Sequence, residues 1–344
     1  MEGIKISKRP QLKNPFLLVA WPGMGEVAFK AASYLVDKLK AEEFAQVIPE
    51  EFFYLTGSVI QGGILDIPQL PQSKFYYWKN PATKSPHSVG ESSTYRGGTG
   101  GKSEAHDLII FLSNAQPDLA KAETYSRRII QMAKSFKAEM VISFASMPQA
   151  IDHTQGSRVW FAATSQELKS NLKKFDFDIL TEGQISGMNG LFLGIAKKEG
   201  LNGVCLLGEI PLYTIQIENP KASSVVLNAF SKMMNIQIDL SGLIEQARTM
   251  ENEINKLLDY LKVSPPGSSG PIGEDEIEKI KKTLSQLTKL PVSVKGKIEK
   301  LFLAAKADIT KANELKVELD KWNVYKEYED KFLDLFKRTK DKGN

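Results

Sequence analysis

Apolar residues in the first two thirds of the chain fall in short unbroken runs, each followed by glycine, proline or a helical stripe. The run Phe16-Leu17-Leu18-Val19-Ala20 passes through Trp21-Pro22-Gly23-Met24-Gly25 into a segment where Val27, Ala31, Leu35 and Leu39 recur at near-helical spacing. That order predicts strand, glycine turn and amphipathic helix, the first half of a βαβ unit. Runs at 45–48, 52–55, 62–65 and 74–78, punctuated by Gly and Pro, predict strands and hairpins. Regular rhythm resumes with a strand at 107–112, a helix from Pro117 to Phe136, and strands at 140–144, 159–162 and 204–207. Ser165 is placed to cap a short helix, and Gly187 opens another that runs to Lys198. Strands that are continuously apolar, not alternating, are covered on both faces. The pattern therefore predicts a three-layer α/β/α fold around a mixed, largely parallel sheet.

From Ala222 the pattern is helical, with Leu243, Ala247, Met250, Ile254, Leu257 and Leu261 at heptad spacing. Pro265-Pro266-Gly267-Ser268-Ser269-Gly270-Pro271 breaks it, giving a core domain over 1–262, a linker over 263–273 and an all-α extension over 274–344. Residues 82–105, rich in Ser, Thr, Gly and Lys, are predicted to be a flexible insertion in the core domain. In the extension Ile277, Ile280, Leu284 and Leu287 define one helix. Ile298, Leu301, Ala305, Ala312, Leu315, Leu319 and Trp322 define a longer one. Tyr325, Tyr328, Phe332 and Leu335 define a last helix or its continuation. Single apolar stripes need a partner surface, either one another or a second subunit.

Composition narrows the function classes. A net charge of +4 over 344 residues, with no basic block interleaved with aromatics, gives no nucleic-acid footprint. No apolar run has the length of a bilayer span, and the start of the chain lacks a signal-peptide pattern. The single cysteine, Cys205, sits inside an apolar run, which fits a buried thiol in a reducing compartment. The expectation is a cytoplasmic protein with neither nucleic-acid nor membrane partners.

Candidate chemistry gathers at the strand ends, the edge where open α/β sheets meet ligands. Gly23-x-Gly25-x-x-Ala28 overlaps the dinucleotide fingerprint, but Pro22 stiffens the turn, and Glu42 and Glu43 precede the next apparent strand. The alternative is a tight turn with close helix packing. The other strand ends supply Asn114, His153 with Thr154, and Glu209; Gly187 and Asn189 open a helix. His153 with Glu209 is minimal acid/base equipment, yet there is no nucleophile elbow and no metal-ligand spacing. Glu209 suits bracing of loop amides better than proton transfer. No cofactor or metal is expected.

The order of these motifs resembles the proteasome assembly chaperone family, whose members often carry an ATP-grasp-like label. The similar pieces are Trp21-Pro22-Gly23-Met24-Gly25, Asp107-Leu108-Ile109 with Gln116-Pro117, and His153-Thr154 with Ala163-Thr164. They continue through Ile185-Ser186-Gly187-Met188-Asn189-Gly190-Leu191 and Leu206-Leu207-Gly208-Glu209-Ile210-Pro211 to Asn219-Pro220-Lys221-Ala222. The resemblance spans roughly residues 15–260. It implies a nucleoside-phosphorylase-like sheet, self-association and a chaperone or scaffold role, with Trp21, Gly23, Gly25, Asn114, His153, Thr154, Gly187, Asn189 and Glu209 as binding candidates and none as catalytic. Two departures stand out. His153-Thr154-Gln155-Gly156 replaces the family's His-Thr-Arg-Pro, and the chain closes on Lys340-Asp341-Lys342-Gly343-Asn344, not on a hydrophobic-Tyr tail. The leading expectation is a non-catalytic homo-oligomeric assembly chaperone acting on a protein client; the alternative is a nucleosidase or phosphorylase using the same loops.

Overall fold

A computed structural model describes residues 3–55, 57, 58, 60, 61, 63–84, 105–149, 151–175, 177–262, 292–321 and 325–340. Most of the predicted insertion, the predicted linker and the first helix of the extension lie outside the described residues. The chain divides into two units, one over 1–53 with 70–289, the other over 54–69 with 290–344.

In the first unit the elements run β1 (Ile4–Ile6), β2 (Phe16–Ala20), α1 (Val27–Leu39), β3 (Glu42–Val47), β6 (Ser73–Trp78) and β7 (Leu108–Ser113); β4 and β5 belong to the other unit. They continue with α2 (Ala122–Ser135), β8 (Met140–Gln149), β9 (Val159–Ala163), α3 (Gln166–Leu172), β10 (Asp178–Ile179), α4 (Met188–Lys198), β11 (Gly203–Pro211), α5 (Pro220–Met234) and α6 (Ser241–Lys262). The nine strands form one sheet in the order β1-β3-β6-β7-β2-β8-β11-β9-β10. Its centre, β7-β2-β8-β11, is all parallel, and antiparallel pairs flank it on both sides.

Alternation along β2 shows why the chain needs both helix layers. Leu17 and Val19 join the aromatic layer under α2 and α4, whereas Leu18 and Ala20 join the layer under α1, α5 and α6. Each is fully buried, and burying a leucine or valine side chain stabilises the fold by about 1.5–3 kcal/mol. The predicted three-layer architecture with a mixed sheet is what the chain adopts.

Several local expectations are corrected. Glu42 and Glu43 lie within β3, on the half of the strand that faces solvent. Residues 52–55 form no strand: a turn at Pro49–Glu51 delivers Phe52 and Phe53 edge-on to the Tyr125 ring, at 5.0 and 5.9 Å. The apolar run divides instead, with Phe52 and Phe53 buried against α2 and Tyr54 and Leu55 exposed. No helix among the described residues is long and apolar enough to cross a membrane.

In the second unit, β4 (Ile60–Gln61) and β5 (Ile64–Leu65) form a two-stranded hairpin. Helices α7 (Val292–Ala307), α8 (Ala312–Lys321) and α9 (Tyr325–Lys340) bury Ile298, Phe302, Leu315, Leu319, Phe332 and Leu335 against one another. The predicted long helix is broken after Ala307, because the Asp308 carboxylate accepts from the Thr310 amide and hydroxyl and starts a new turn.

Candidate functional site

Strand order reverses at β2, the first of the parallel strands in the chain, which has later strands on both sides. The carboxyl ends of β2, β8 and β11 open there into a cleft of about 190 Å³, lined by Gly23, Met24, Ala28, Gln116, residues 145–148, 180 and 182–186, Asn189 and Leu207. This is the crevice at a topological switch point where doubly wound sheets take ligands.

One wall is fixed by a long-range amide pairing. The Trp21 N–H donates to Asn189 Oδ1, and Asn189 Nδ2 donates to the Trp21 carbonyl, both at 3.0 Å. Asn189, at the start of α4, thus continues the backbone pairing of β2 where no strand can. The Trp21 side chain is elsewhere: fully buried, it packs on Phe111 and Phe192 at 5.4 and 5.3 Å. Gln116 closes the same corner, with Nε2 donating to the Pro22 carbonyl at 2.8 Å and Oε1 accepting from the Met188 amide at 3.3 Å. Gly187 holds φ +72°, and a Cβ there would meet Gln116 Nε2 at 3.0 Å. Its lack of a side chain is what admits the glutamine.

The two turn glycines differ. Gly25 has φ +63°; its N–H donates to the Ile215 carbonyl and its own carbonyl accepts from the Asn219 N–H, both at 2.8 Å. Gly23 is extended, with φ −163°, a conformation open to any residue. The amides of Gly25, Glu26 and Met188 are all taken by acceptors of the chain itself. These three amides are therefore not offered to a dinucleotide or phosphate, which supports the turn-and-packing alternative.

Glu209 is 2% exposed near the end of β11. One carboxylate oxygen accepts from the Trp160 indole at 2.7 Å and pairs with the Arg158 guanidinium at 3.2 Å; the other accepts from the Arg158 amide. Arg158 also reaches Asp178 at 3.1 Å, so the carboxylate ties β9, β10 and β11 together. His153 is likewise occupied: Nδ1 lies 2.8 Å from the Tyr213 hydroxyl and Nε2 lies 2.8 Å from Asn255 Oδ1. Nε2 is the donor in the second contact, because an amide oxygen can only accept. Beside it Lys221 donates to the His153 carbonyl at 2.6 Å and pairs with Glu251 at 2.7 Å, fastening α6 to the start of α5. His153 and Glu209 border a second hollow of only about 30 Å³, enough for a water.

Asn114 and Thr154, like Trp21, Gly25 and Gly187, line neither hollow. Asn114 is exposed and accepts from the Gln72 amide at 2.9 Å, bracing the entry to β6. Thr154 donates amide and hydroxyl protons to Asp152, which holds that carboxyl below its usual range. Sequence reasoning missed Gln116, Arg158, Trp160 and Lys221 as site residues. Gln116 was signalled by its place two residues beyond Asn114 on the same strand end and by the Gln116-Pro117 piece of the motif order. No cluster of three or more His, Cys, Asp or Glu suited to a metal occurs among the described residues.

The chain resembles proteins of known structure over this same region. PbaB of Pyrococcus furiosus, described as an archaeal proteasome activator, superposes with a TM-score of 0.59 at 25% identity, covering 74% of this chain and 97% of PbaB. PbaA of the same organism, described as an archaeal homolog of proteasome-assembly chaperone, has a TM-score of 0.54 at 20% identity over 83% and 99% of the two chains, a likeness of fold. An uncharacterised protein of Methanocaldococcus jannaschii is 28% identical over 256 residues, 74% of this chain and 86% of its own length. The family expected from the order of motifs is therefore the one found. With the pattern of the PAC2 family matching residues 17–258, from β2 through most of α6, the chain belongs to the PAC2 family.

Proposed function

We propose that this chain is a non-catalytic, self-associating scaffold of the proteasome-assembly type, working on protein clients in the cytoplasm. The observation that carries the reading is the employment of the polar strand-end residues. His153, Asn189 and Glu209, the groups best suited to chemistry, each hold other parts of the same chain. Proteins described as a proteasome activator and a proteasome-assembly chaperone homolog share the fold, which directs the choice of client.

Self-association has its own support in the hairpin unit. Tyr54, Leu55, Ile60, Ile64, Leu65 and Ile67 are between 52% and 85% exposed. Together they offer on the order of 800 Å², the share one partner gives to a standard interface. A two-stranded hairpin is marginal alone, and Asp66 is the only charged residue in 54–69, so a second copy of the same hairpin is a matched partner.

Capture of the tagged full chain from native cells, with its partners identified, tests the client. Enrichment of proteasome core subunits is expected; their absence overturns the proteasome reading. Sedimentation tests the self-association: the wild type should exceed the 38.3 kDa monomer, and a double Ile64→Lys, Ile67→Lys variant should approach it. A phosphate- or nucleoside-induced rise in melting temperature, lost in His153→Ala and Glu209→Ala, would favour the phosphorylase alternative instead.

A further inference from the structure

The cleft at the end of β2 is the one hollow in the first unit large enough for more than water among those described above. Half of its lining is apolar: Met24, Ala28, Ala145, Met147, Pro148, Leu180, Ile185 and Leu207. Its volume of about 190 Å³ is below the roughly 300–1,000 Å³ of sites for cofactors and drug-sized ligands, and suits one bulky side chain. Two methionines give walls that can adapt to the shape of an anchor.

Polar groups at the cleft sort ligands by charge. The lining includes no Lys, Arg or His, and its one charged residue is the exposed Glu182. The helix-start amides of Gly25, Glu26 and Met188 are already bonded. An anion therefore finds no free donor among these groups and a carboxylate at the rim. Ser146, Gln184 and Ser186 also line the cleft, and among the described residues none of their side chains is engaged by another part of the chain. Asn189 spends one N–H and one lone pair on Trp21, and Gln116 spends one of each on Pro22 and Met188. Each carboxamide keeps a second donor and acceptor. Paired donors and acceptors around an apolar hole match a main-chain amide on either side of a buried side chain.

We infer that this cleft is an anchor site for an extended peptide segment of a partner protein, taking one large apolar or aromatic side chain between Met24 and Met147, with a Lys or Arg next to it facing Glu182. The inference rests on the protein-binding reading above and names the chemistry of the segment bound.

Methionine-methyl NMR of the full chain tests it, using the capped peptide Gly-Phe-Lys-Gly at millimolar concentration as probe. Saturable shifts of the Met24 and Met147 methyls are expected, absent with Gly-Gly-Lys-Gly. Gly23→Leu is a plug without backbone strain: Gly23 is extended and its Cβ would meet only Asn189 Nδ2, at 3.5 Å. It should weaken the titration at least tenfold while the methyl spectrum stays folded. Glu182→Lys should weaken the Lys peptide about threefold and favour Gly-Phe-Glu-Gly by a similar factor, the scale of an exposed ion pair. Absence of shifts at both methyls overturns the inference, as do equal affinities of the Lys and Glu peptides for the wild type. Shifts produced as strongly by free phenylalaninamide also overturn it, assigning the cleft to a small amine. Failure of proteasome capture leaves this titration standing, so the two readings fail separately.

Discussion

Replacing Asn189 by leucine isolates the joint that shapes the cleft. The two side chains share one branched skeleton of four heavy atoms and leucine is the bulkier, so Asn189→Leu opens no cavity at a site only 5% exposed. It does strand the N–H and carbonyl of Trp21, each of which now has a 3.0 Å partner. An unsatisfied buried backbone group costs about 1–3 kcal/mol, so two cost about 2–6 kcal/mol, and the apolar replacement recovers about 1 kcal/mol. A net loss of about 3 kcal/mol should lower the melting midpoint of a unit this size by about 6–12 °C. Urea titration followed by tryptophan fluorescence should show the same loss as a lower midpoint at unchanged slope. Asn189→Asp adds a check with a sign. Ionised, the new carboxyl still accepts from the Trp21 N–H but faces the Trp21 carbonyl without a proton to give. Its folded-state pKa is therefore raised, and the deficit of the variant should shrink as pH falls through the acid range. A leucine variant melting within about 1 °C of wild type would refute the reasoning, since 1 kcal/mol alone moves such a unit by about 2–4 °C.

Gly25→Val should cost about 2 kcal/mol or more, from a left-handed φ of +63° and from contacts of 3.3 Å to Asn219 and 3.4 Å to Ile210, whereas Gly23→Ala should leave the melting curve unchanged; equal effects would remove the distinction. Burial raises both the Cys205 thiol and the Tyr125 hydroxyl to about 12. Above their ordinary values, near 9 and 10, the folded state holds protons that the unfolded state has released. Stability should therefore fall as pH rises from about 9 to about 12, and a thiol reagent should label Cys205 only on unfolding. Labelling of the native protein at neutral pH would contradict the burial. Lys221→Met leaves Glu251 and the carbonyls of His153 and Gln155 without their common donor. Faster amide exchange in the middle of α6, with a loss of about 1 kcal/mol, is expected; unchanged exchange would show that α6 is held by its apolar stripe alone.

Elements built from nearest neighbours were legible in the sequence. The turn after β2, the Ser165 cap and the opening of α4 at Gly187 each depend on residues within a few positions, and each formed where the pattern placed it. The site was less legible because its bonds are long-range. Asn189 was singled out from its place at a helix start, but its role lies 168 positions away at Trp21. Asn114 and Gln116 share one loop and one chemistry, yet strand geometry turns only the second toward the cleft. Glu209 could be read as a brace, but its partners are Trp160 on β9 and Arg158 just before it, and no local pattern announces the antiparallel pairing of β9 with β11. Residues 54–69 read as part of the sheet domain by position, and group with 290–344 by contact.

The place of β11 has a consequence for biosynthesis. It is the last strand to leave the ribosome, yet it sits inside the sheet, parallel to β8 on one side and antiparallel to β9 on the other. A nascent chain that has not reached Gly203 holds β8 with one bare edge, and β9 with β10 has no sheet to join. Such a chain presents unpaired strand edges to its neighbours in the polysome for as long as translation takes to cover them. The sheet can close only after its central strands have waited for a segment nearly two hundred residues downstream of β2, and until then the bare edge of β8 stays open to any strand that meets it.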